Sequence, residues 1–221
     1  MSSIRDRLAR ALRRPYIITD TTLSPGRTHV DIARAALAGG AGVIQLRDKN
    51  LSAAAQTPIA REIASMTRAA GALFLVNDNV GVALDSQADG VHVGQADTPV
   101  REARDRLGPD AVIGGSATTL HEALTAQADG ADYIGVGPVF PTDTKQDAGH
   151  PVGLDLIAEV RRAVNIPIVA IGGLTGGSVR AVLAAGADGA AFVSEVVRAP
   201  DMELATRAIA AAMAAAYEEY R

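Results

Sequence analysis

The chain has 221 residues, a formal net charge of −4 at neutral pH and no cysteine. This acidic balance argues against binding to nucleic acid or to anionic membranes, since both need a basic surplus. The absence of cysteine excludes disulfides, thiolate metal sites and cysteine nucleophiles. An aromatic content of 3% disfavours stacking platforms for bases or sugars. The composition is that of a globular enzyme domain.

The amino terminus is basic and amphipathic. Residues 2–14 place Ile4, Leu8 and Leu12 on one face of a helix. Such a segment can be an organelle transit peptide, but this one is short and runs through Pro15 directly into a strand. We therefore expect a short helix that docks on the domain. Because no apolar run approaches the ~20 residues of a membrane span, we also expect a cytoplasmic protein.

The rest of the chain repeats one unit, which consists of an Ala-rich helix, a glycine-containing stop and a short β-branched run. AGGAG (38–42) and AGADG (185–189) are examples of the stops, and glycine suits the left-handed position that ends a helix. The runs are almost continuously apolar, as in parallel strands buried on both faces. The predicted strands are 16–20, 43–48, 73–78, 91–94, 111–116, 133–137, 166–173 and 190–195.

Eight alternating strands and helices without a linker predict an α/β fold, namely a single (β/α)₈ TIM barrel. An open, doubly wound sheet is the alternative, but no reversal of the repeat is visible. We expect one domain over residues 1–221, with 1–15 as a helical extension. The sequence leaves a homo-oligomer open.

Charged residues follow the strands at the barrel end where catalytic groups lie. Arg47 and Lys49 follow the second strand, Asp78 the third, Asp97 the fourth, and Lys145 lies in a long loop after the sixth. Arg and Lys bind phosphate oxygens directly, whereas carboxylates hold Mg²⁺, which bridges phosphates. The joint placement of these five charges predicts a site for a diphosphate with Mg²⁺.

A second anion site is predicted after the seventh and eighth strands, where barrels commonly hold phosphate through backbone N–H groups. IGGLTGG (171–177) and VSE (193–195) supply these groups. We assign Gly173 and Ser194 to phosphate, and Gly176 and Gly177 to the cap of the next helix. Two separate phosphate sites indicate two phosphorylated substrates.

The four histidines show no metal-ligand spacing. His92 alternates with valines, so we expect it to point into the barrel as a hydrogen-bonded core residue. His29 and His121 fall near helix starts and are expected at the surface. Ser116 closes the fifth strand without a histidine partner in view, so we expect it to orient substrate rather than to act as a nucleophile.

Seven motifs together resemble the thiamine-phosphate synthase family: QLRDK (45–49), VND (76–78), GVHVGQAD (90–97), GGSA (114–117), GVGPVFPTDTK (135–145), AIGG (170–173) and FVS (192–194). The resemblance runs from Tyr16 to Arg198, and GVGPVFPTDTK is its most specific part. That family joins hydroxymethylpyrimidine diphosphate to hydroxyethylthiazole phosphate and releases pyrophosphate.

The resemblance implies a role for each matching position. Catalysis falls to Ser116, Lys145, Arg47 and Lys49, and Mg²⁺ is held by Asp78 and Asp97. The pyrimidine diphosphate is bound by Gln45, Leu46, Arg47, Asp48, Lys49, Asn77, Ser116 and Lys145. The thiazole phosphate is bound by Thr142, Asp143, Thr144, Gly173, Val193 and Ser194.

Two rivals stay open at this point. A thiazole tautomerase on the same barrel is expected to carry a histidine after the fifth strand, where this chain has Thr118 and Thr119, and it has no use for the two aspartates and Lys145. A catalytically silent sensor of thiamine precursors would be expected to lose a metal ligand or the loop lysine. Both groups are present, which favours the synthase.

Overall fold

The computed structural model describes residues 4–144 and 149–219. Eight parallel strands pair in chain order and close into a barrel, with β8 beside β1. The predicted (β/α)₈ fold is therefore confirmed, and the open-sheet alternative is excluded. The strands are β1 Tyr16–Thr19, β2 Val43–Leu46, β3 Leu73–Asn77, β4 Gly90–Val93, β5 Val112–Ala117, β6 Tyr133–Val136, β7 Ile168–Ile171 and β8 Gly189–Phe192.

Helices surround this barrel, and short 3₁₀ turns follow β1 (Thr21–Leu23) and β7 (Gly176–Ser178). No helix in the described part of the chain is long and apolar enough to span a membrane. The described helices are α1 Ile4–Leu12, α2 His29–Ala38, α3 Ala53–Ala69, α4 Val80–Ser86, α5 Val100–Leu107, α6 Leu120–Ala128, α7 Gly153–Ala163, α8 Val179–Ala184, α9 Ser194–Val197 and α10 Met202–Glu219.

The apolar residues form two layers because successive side chains of a strand point to opposite faces. The outer layer, between strands and helices, includes Ile17, Ile44 and Phe74. The inner layer fills the barrel and includes Ile18 and Leu75. Both layers are buried and mainly apolar, so the polar groups that function needs lie at the ends of the strands and at a few inward positions.

Helix α1 closes the amino-terminal end of the barrel, as expected for a docking helix. Leu8 and Leu12 are each 1% exposed and pack against the inner layer. Full burial of a leucine contributes roughly 1.5–3 kcal/mol. The opposite end, formed by the carboxyl ends of the strands, is called the barrel mouth below.

Candidate active site

A cavity of about 200 Å³ lies at the barrel mouth. Its walls come from the ends of β1, β2 and β5–β8 and from the segment that follows β6. Many residues proposed from sequence for catalysis and for the thiazole phosphate line it together. These are Arg47, Ser116, Thr142, Thr144, Gly173, Val193 and Ser194.

The wall after β7 is shaped by two glycines. Gly172 and Gly173 have φ angles of +91° and +65°, a region that side chains rarely tolerate. A Cβ atom on Gly173 would lie 2.6 Å from the carbonyl oxygen of Pro141. Glycine is therefore required here by the approach of the segment after β6, in addition to the approach of phosphate expected from sequence.

Arg47 enters the cavity wall from the end of β2 and is held by a partner that the sequence analysis missed. Its Nη1 donates to Oδ2 of Asp20 at 2.6 Å, and the Asp20 side chain is only 5% exposed. Asp20 also accepts hydrogen bonds from the backbone N–H and hydroxyl of Thr22. Asp20 ends the run YIITD and so occupies the same rim position as the other acidic residues, which is the sequence signal that could have identified it.

Asp78 and Asp97, proposed from sequence as the metal pair, lie beside each other. Asp78 has a φ of +61°, unusual for a residue other than glycine, and its backbone N–H donates to the carbonyl of His92 at 2.8 Å. Lys49 and Asn77 both donate to Oδ2 of Asp78. Burial raises the pKa of the Asp78 carboxyl, and the neighbouring Asp97 raises it further against the opposing effect of Lys49.

This pair fits a divalent cation whose remaining coordination positions are filled by substrate and water. No cluster of three or more His, Asp or Glu able to hold a metal ion occurs in residues 4–144 and 149–219. Mg²⁺ is usually bound by one or two carboxylates together with substrate phosphates and water. The pKa of Asp78 is raised beside Asp97, and a bound cation would stabilise the ionised form of both carboxyls.

Three expected ligand-binding side chains point elsewhere. Leu46 is fully buried in the outer apolar layer, and Asp48 faces α2. Any contact of these two with a ligand would have to use backbone atoms. Asp143 is 77% exposed in its side chain and forms an ion pair with Arg198. Because a carboxylate repels phosphate, we expect Asp143 to contact the thiazole phosphate through its backbone, and its role stays a prediction.

Gln45 and Asn77 remain at the inner end of the diphosphate region. Gln45 is 2% exposed, and its Nε2 lies 3.4 Å from Oδ1 of Asn77. Lys145 lies outside the described residues, as do residues 146–148. The role of Lys145 and of the loop over 140–153 therefore stays a prediction.

His29 is buried, so its expected surface position is wrong. Its Nδ1 lies 2.7 Å from Oγ1 of Thr19, and its Nε2 lies 2.9 Å from Oδ2 of Asp48. Asp48 in turn accepts the backbone N–H groups of Asn50 and Leu51. Position near a helix start does not say which face of the helix a residue occupies. His121, by contrast, is exposed as expected.

Ser116 has a histidine partner, which corrects the expectation that none is near. His92 points into the barrel as expected, and its Nε2 lies 2.9 Å from Oγ of Ser116. Gln95 donates to the Ser116 carbonyl at 2.6 Å. The two partners come from β4 and its following loop, 24 and 21 residues away. Only the parallel pairing of β4 with β5 brings them together.

A closed parallel barrel with cationic side chains and a glycine-lined wall at its mouth is the architecture of a (β/α)₈ enzyme for phosphorylated small molecules. Residues 15–196 match the family model described as thiamine monophosphate synthase. The chain belongs to this family and is a transferase of thiamine biosynthesis.

Individual relatives agree along most of the chain. It is 54% identical over 193 residues to a thiamine-phosphate synthase of Methanocella arvoryzae, covering 87% of this chain and 91% of that protein. It is 48% identical over 192 residues to one of Moorella thermoacetica, with the same coverage of 87% and 91%. The solved thiamine phosphate pyrophosphorylase of Pyrococcus furiosus is 40% identical with a TM-score of 0.85, covering 95% of this chain and 98% of that one. The family expected from the motifs is confirmed.

Proposed function

We propose that the chain joins hydroxymethylpyrimidine diphosphate to hydroxyethylthiazole phosphate, giving thiamine phosphate and pyrophosphate. The supporting observation is the presence of two regions of unlike chemistry at one barrel mouth, each suited to an anion. The ends of β2–β4 carry the charged side chains, and the ends of β7 and β8 carry the glycine wall with Ser194. The two regions face each other across the barrel, so two phosphorylated substrates would meet between them.

The diphosphate is assigned to the β2–β4 region, with Gln45 and Asn77 toward the pyrimidine. Arg47 and Lys49 would bind its oxygens, and Lys145 would add a third charge from the loop. Asp78 and Asp97 would hold Mg²⁺, which when bound neutralises charge on the diphosphate. The Lys49 ammonium has three N–H groups, so it could donate to a phosphate oxygen while it still contacts Asp78, and a cation at Asp78 would favour its transfer to phosphate.

The thiazole phosphate is assigned to the β7–β8 region. Backbone N–H groups near Gly173 and Ser194 would hold its oxygens, with Val193 beside them. Thr142 and Thr144 line the same cavity and can donate hydroxyl hydrogens. This assignment needs no side-chain cation, in agreement with the residues that line the wall.

The proposed reaction is a substitution at the methylene carbon of the pyrimidine. The bond from this carbon to the diphosphate oxygen breaks, and its electron pair leaves with pyrophosphate. The electron-rich aminopyrimidine stabilises the methylene cation, and the lone pair of the thiazole nitrogen then forms the new carbon–nitrogen bond. No protein nucleophile or strong base is required, so the residues act by charge stabilisation and alignment. The proposal also includes a cytoplasmic location and small-molecule substrates as partners, with a homo-oligomer left open.

A reconstitution assay tests this function. The purified protein, both substrates and Mg²⁺ should give thiamine phosphate and pyrophosphate in equal amounts, and omission of either substrate should give neither. Excess chelator should abolish turnover, and Mg²⁺ or Mn²⁺ should restore it. Asp78→Ala should raise the metal concentration needed, whereas Asp110→Ala, at an exposed position, should not. Absence of product would overturn the function, and full turnover in chelator would overturn the metal assignment.

A further inference from the structure

A line of polar side chains crosses the otherwise apolar interior of the barrel. Tyr16 Oη lies 2.8 Å from Tyr133 Oη, which lies 2.9 Å from Nδ1 of His92. Nε2 of His92 lies 2.9 Å from Oγ of Ser116 in the cavity wall. The line begins beneath α1, where Tyr16 packs with Leu8 and Leu12, and ends where substrate would bind.

The strand register places glycines beside this line, where any side chain would collide with it. His92 of β4 pairs with Gly114 of β5, and Gly114 pairs with Tyr133 of β6. A Cβ atom on Gly114 would lie 2.2 Å from Cζ of Tyr133 and 2.4 Å from Nδ1 of His92. A Cβ atom on Gly135 would lie 2.9 Å from Cε1 of His92. The two inward glycines therefore allow the histidine and tyrosine to meet across a strand.

The direction of the hydrogen bonds follows from the buried end of the line. Tyr16 and Tyr133 are 2% and 0% exposed, and burial raises the pKa of both hydroxyls, so each keeps its single hydrogen. Within the part of the chain that the structure describes, Tyr133 is the hydrogen-bond partner of the Tyr16 hydroxyl. An unsatisfied buried donor destabilises the folded state, so Tyr16 donates to Tyr133.

The positions of the Tyr133 hydroxyl hydrogen and the His92 ring hydrogen then follow. Because Tyr133 accepts from Tyr16, its own hydrogen goes to Nδ1 of His92. Nδ1 is thus an acceptor, and the neutral imidazole carries its hydrogen on Nε2 and donates it to Ser116. A protonated imidazolium would donate from both nitrogens and leave the Tyr133 hydrogen without this acceptor.

We propose that Tyr133 and His92 are positioning residues that fix the Ser116 hydroxyl as a hydrogen-bond donor toward substrate. With one lone pair of Oγ engaged by His92, the Ser116 hydrogen points away from the imidazole and into the cavity. This polarity is the reverse of a serine nucleophile, in which histidine accepts the serine hydrogen. The inference rests on the proposed function, because the acceptor is then an oxygen or nitrogen atom of the pyrimidine diphosphate.

The hydrogen position can be measured on the wild-type protein without substrate. Nitrogen-15 NMR with labelled histidine, assigned by the signals lost in His92→Gln, should show Nε2 protonated and Nδ1 unprotonated. Protonation of Nδ1, alone or together with Nε2, would overturn the inference. Since no substrate is present, this result is independent of whether the chain makes thiamine phosphate.

Two tyrosine variants of equal size separate positioning from packing. Tyr133→Phe removes the donor to Nδ1 and should lower kcat by about 10- to 100-fold, the scale of misaligned groups, with KM changed little. Tyr16→Phe leaves Tyr133 free to donate to His92 and should keep kcat within about threefold, well inside that scale. Equal losses of kcat in the two variants would overturn the inference. If Tyr133→Phe does not fold, the NMR result on the wild-type protein decides.

Two substitutions of His92 test whether a residue with the same hydrogen-bonding groups preserves activity. Glutamine can accept from Tyr133 and donate to Ser116, whereas methionine has a similar length, no donor and only a weak acceptor. His92→Gln should therefore retain at least about tenfold more kcat than His92→Met, on the scale of misaligned groups. Equal kcat in the two folded variants would contradict the proposed role of His92.

Discussion

On the β2–β4 side of the barrel mouth, Arg47 and Lys49 each contact a carboxylate, Asp20 and Asp78 respectively. On the β7–β8 side, by contrast, the cavity lining combines Gly172, Gly173 and Ser194 with apolar residues and, among the residues that the structure describes, includes no charged side chain. We expect the first region to recognise an anion by charge, in competition with these ion pairs. We expect the second to recognise an anion through backbone N–H groups, whose arrangement is set by the fold.

Because of this difference, different kinds of substitution should impair ligand binding in the two regions. The charged side should be sensitive to loss of a charge or of the metal and tolerant of small changes in shape. The glycine side should be insensitive to charge and sensitive to a single added carbon atom. The following substitutions exploit this contrast, from the largest expected loss of activity to the smallest.

The largest loss is expected for Arg47→Ala. It removes a cation from the diphosphate region and leaves Asp20 buried without its partner. We expect kcat/KM to fall by about 10²- to 10³-fold, as when one charge-stabilising group is lost. The free energy of unfolding should fall by about 3 kcal/mol because a buried pair has been broken. Steady-state kinetics and denaturant titration measure the two effects.

A double variant separates these effects. In Asp20→Asn combined with Arg47→Ala, no unpaired charge remains, so most of the lost stability should return. Activity should stay low, because the diphosphate still lacks its cation. Recovery of kcat/KM in the double variant would show that Arg47 acts by supporting the fold and not on the substrate.

An intermediate loss is expected for Gly173→Ala. The added Cβ would meet the carbonyl of Pro141 at 2.6 Å, in a backbone conformation with φ of +65°, and would displace the segment that carries Thr142. We expect KM for the thiazole phosphate to rise about tenfold more than KM for the pyrimidine diphosphate, which corresponds to roughly 1.4 kcal/mol. Equal effects on both substrates would show that the two regions are misassigned.

Gly176 supplies the control. A Cβ atom there would have Ile209 Cγ1, at 3.9 Å, as its nearest contact, so Gly176→Ala should leave both KM values unchanged. A selective rise of the thiazole KM in this variant too would indicate that the 3₁₀ turn, and not the close approach at Gly173, determines binding.

The sequence was sufficient to predict the barrel because its information is local and periodic. Each strand is an apolar run bounded by a glycine stop, and closure follows from the number of units. The rim position of Arg47, Lys49, Asp78 and Asp97 follows from the same rule, since the carboxyl end of each strand is readable from the chain.

Side-chain partners across strands could not be predicted in this way. Ser116 meets His92 only through the register of β4 with β5, and His29 reaches Asp48 only because α2 folds back onto β2. Leu46 and Asp48 share a motif with Arg47 but alternate to the other face of the strand end. Motif membership therefore identifies the segment expected to bind ligand without identifying which of its side chains face the barrel mouth.

His29 and Asp48 hold the segment that carries Arg47 and Lys49. Burial alone would raise the pKa of Asp48, but hydrogen bonds from His29 and from the backbone N–H groups of Leu51 and Asn50 outweigh it and lower the pKa below its ordinary value. A carboxylate with a lowered folded-state pKa stabilises the fold above the unfolded value of about 3.9. That stability is lost as the pH falls from there through the folded-state pKa.

The smallest loss of activity is therefore expected for Asp48→Asn, and it should be accompanied by a change in acid stability. The variant should lose about 1–3 kcal/mol of unfolding free energy at pH 7, the value of hydrogen bonds to a charged group, and the difference from wild type should shrink below about pH 4. Looser support of Arg47 and Lys49 should raise KM for the pyrimidine diphosphate a fewfold while leaving KM for the thiazole phosphate unchanged. His29→Ala should reproduce the KM effect because it removes the same support, whereas His121→Ala, at an exposed helix start, should not. A stability difference that persists unchanged in acid would show that the Asp48 charge is not what holds the segment, and the rigidity of the charged side would then need another source.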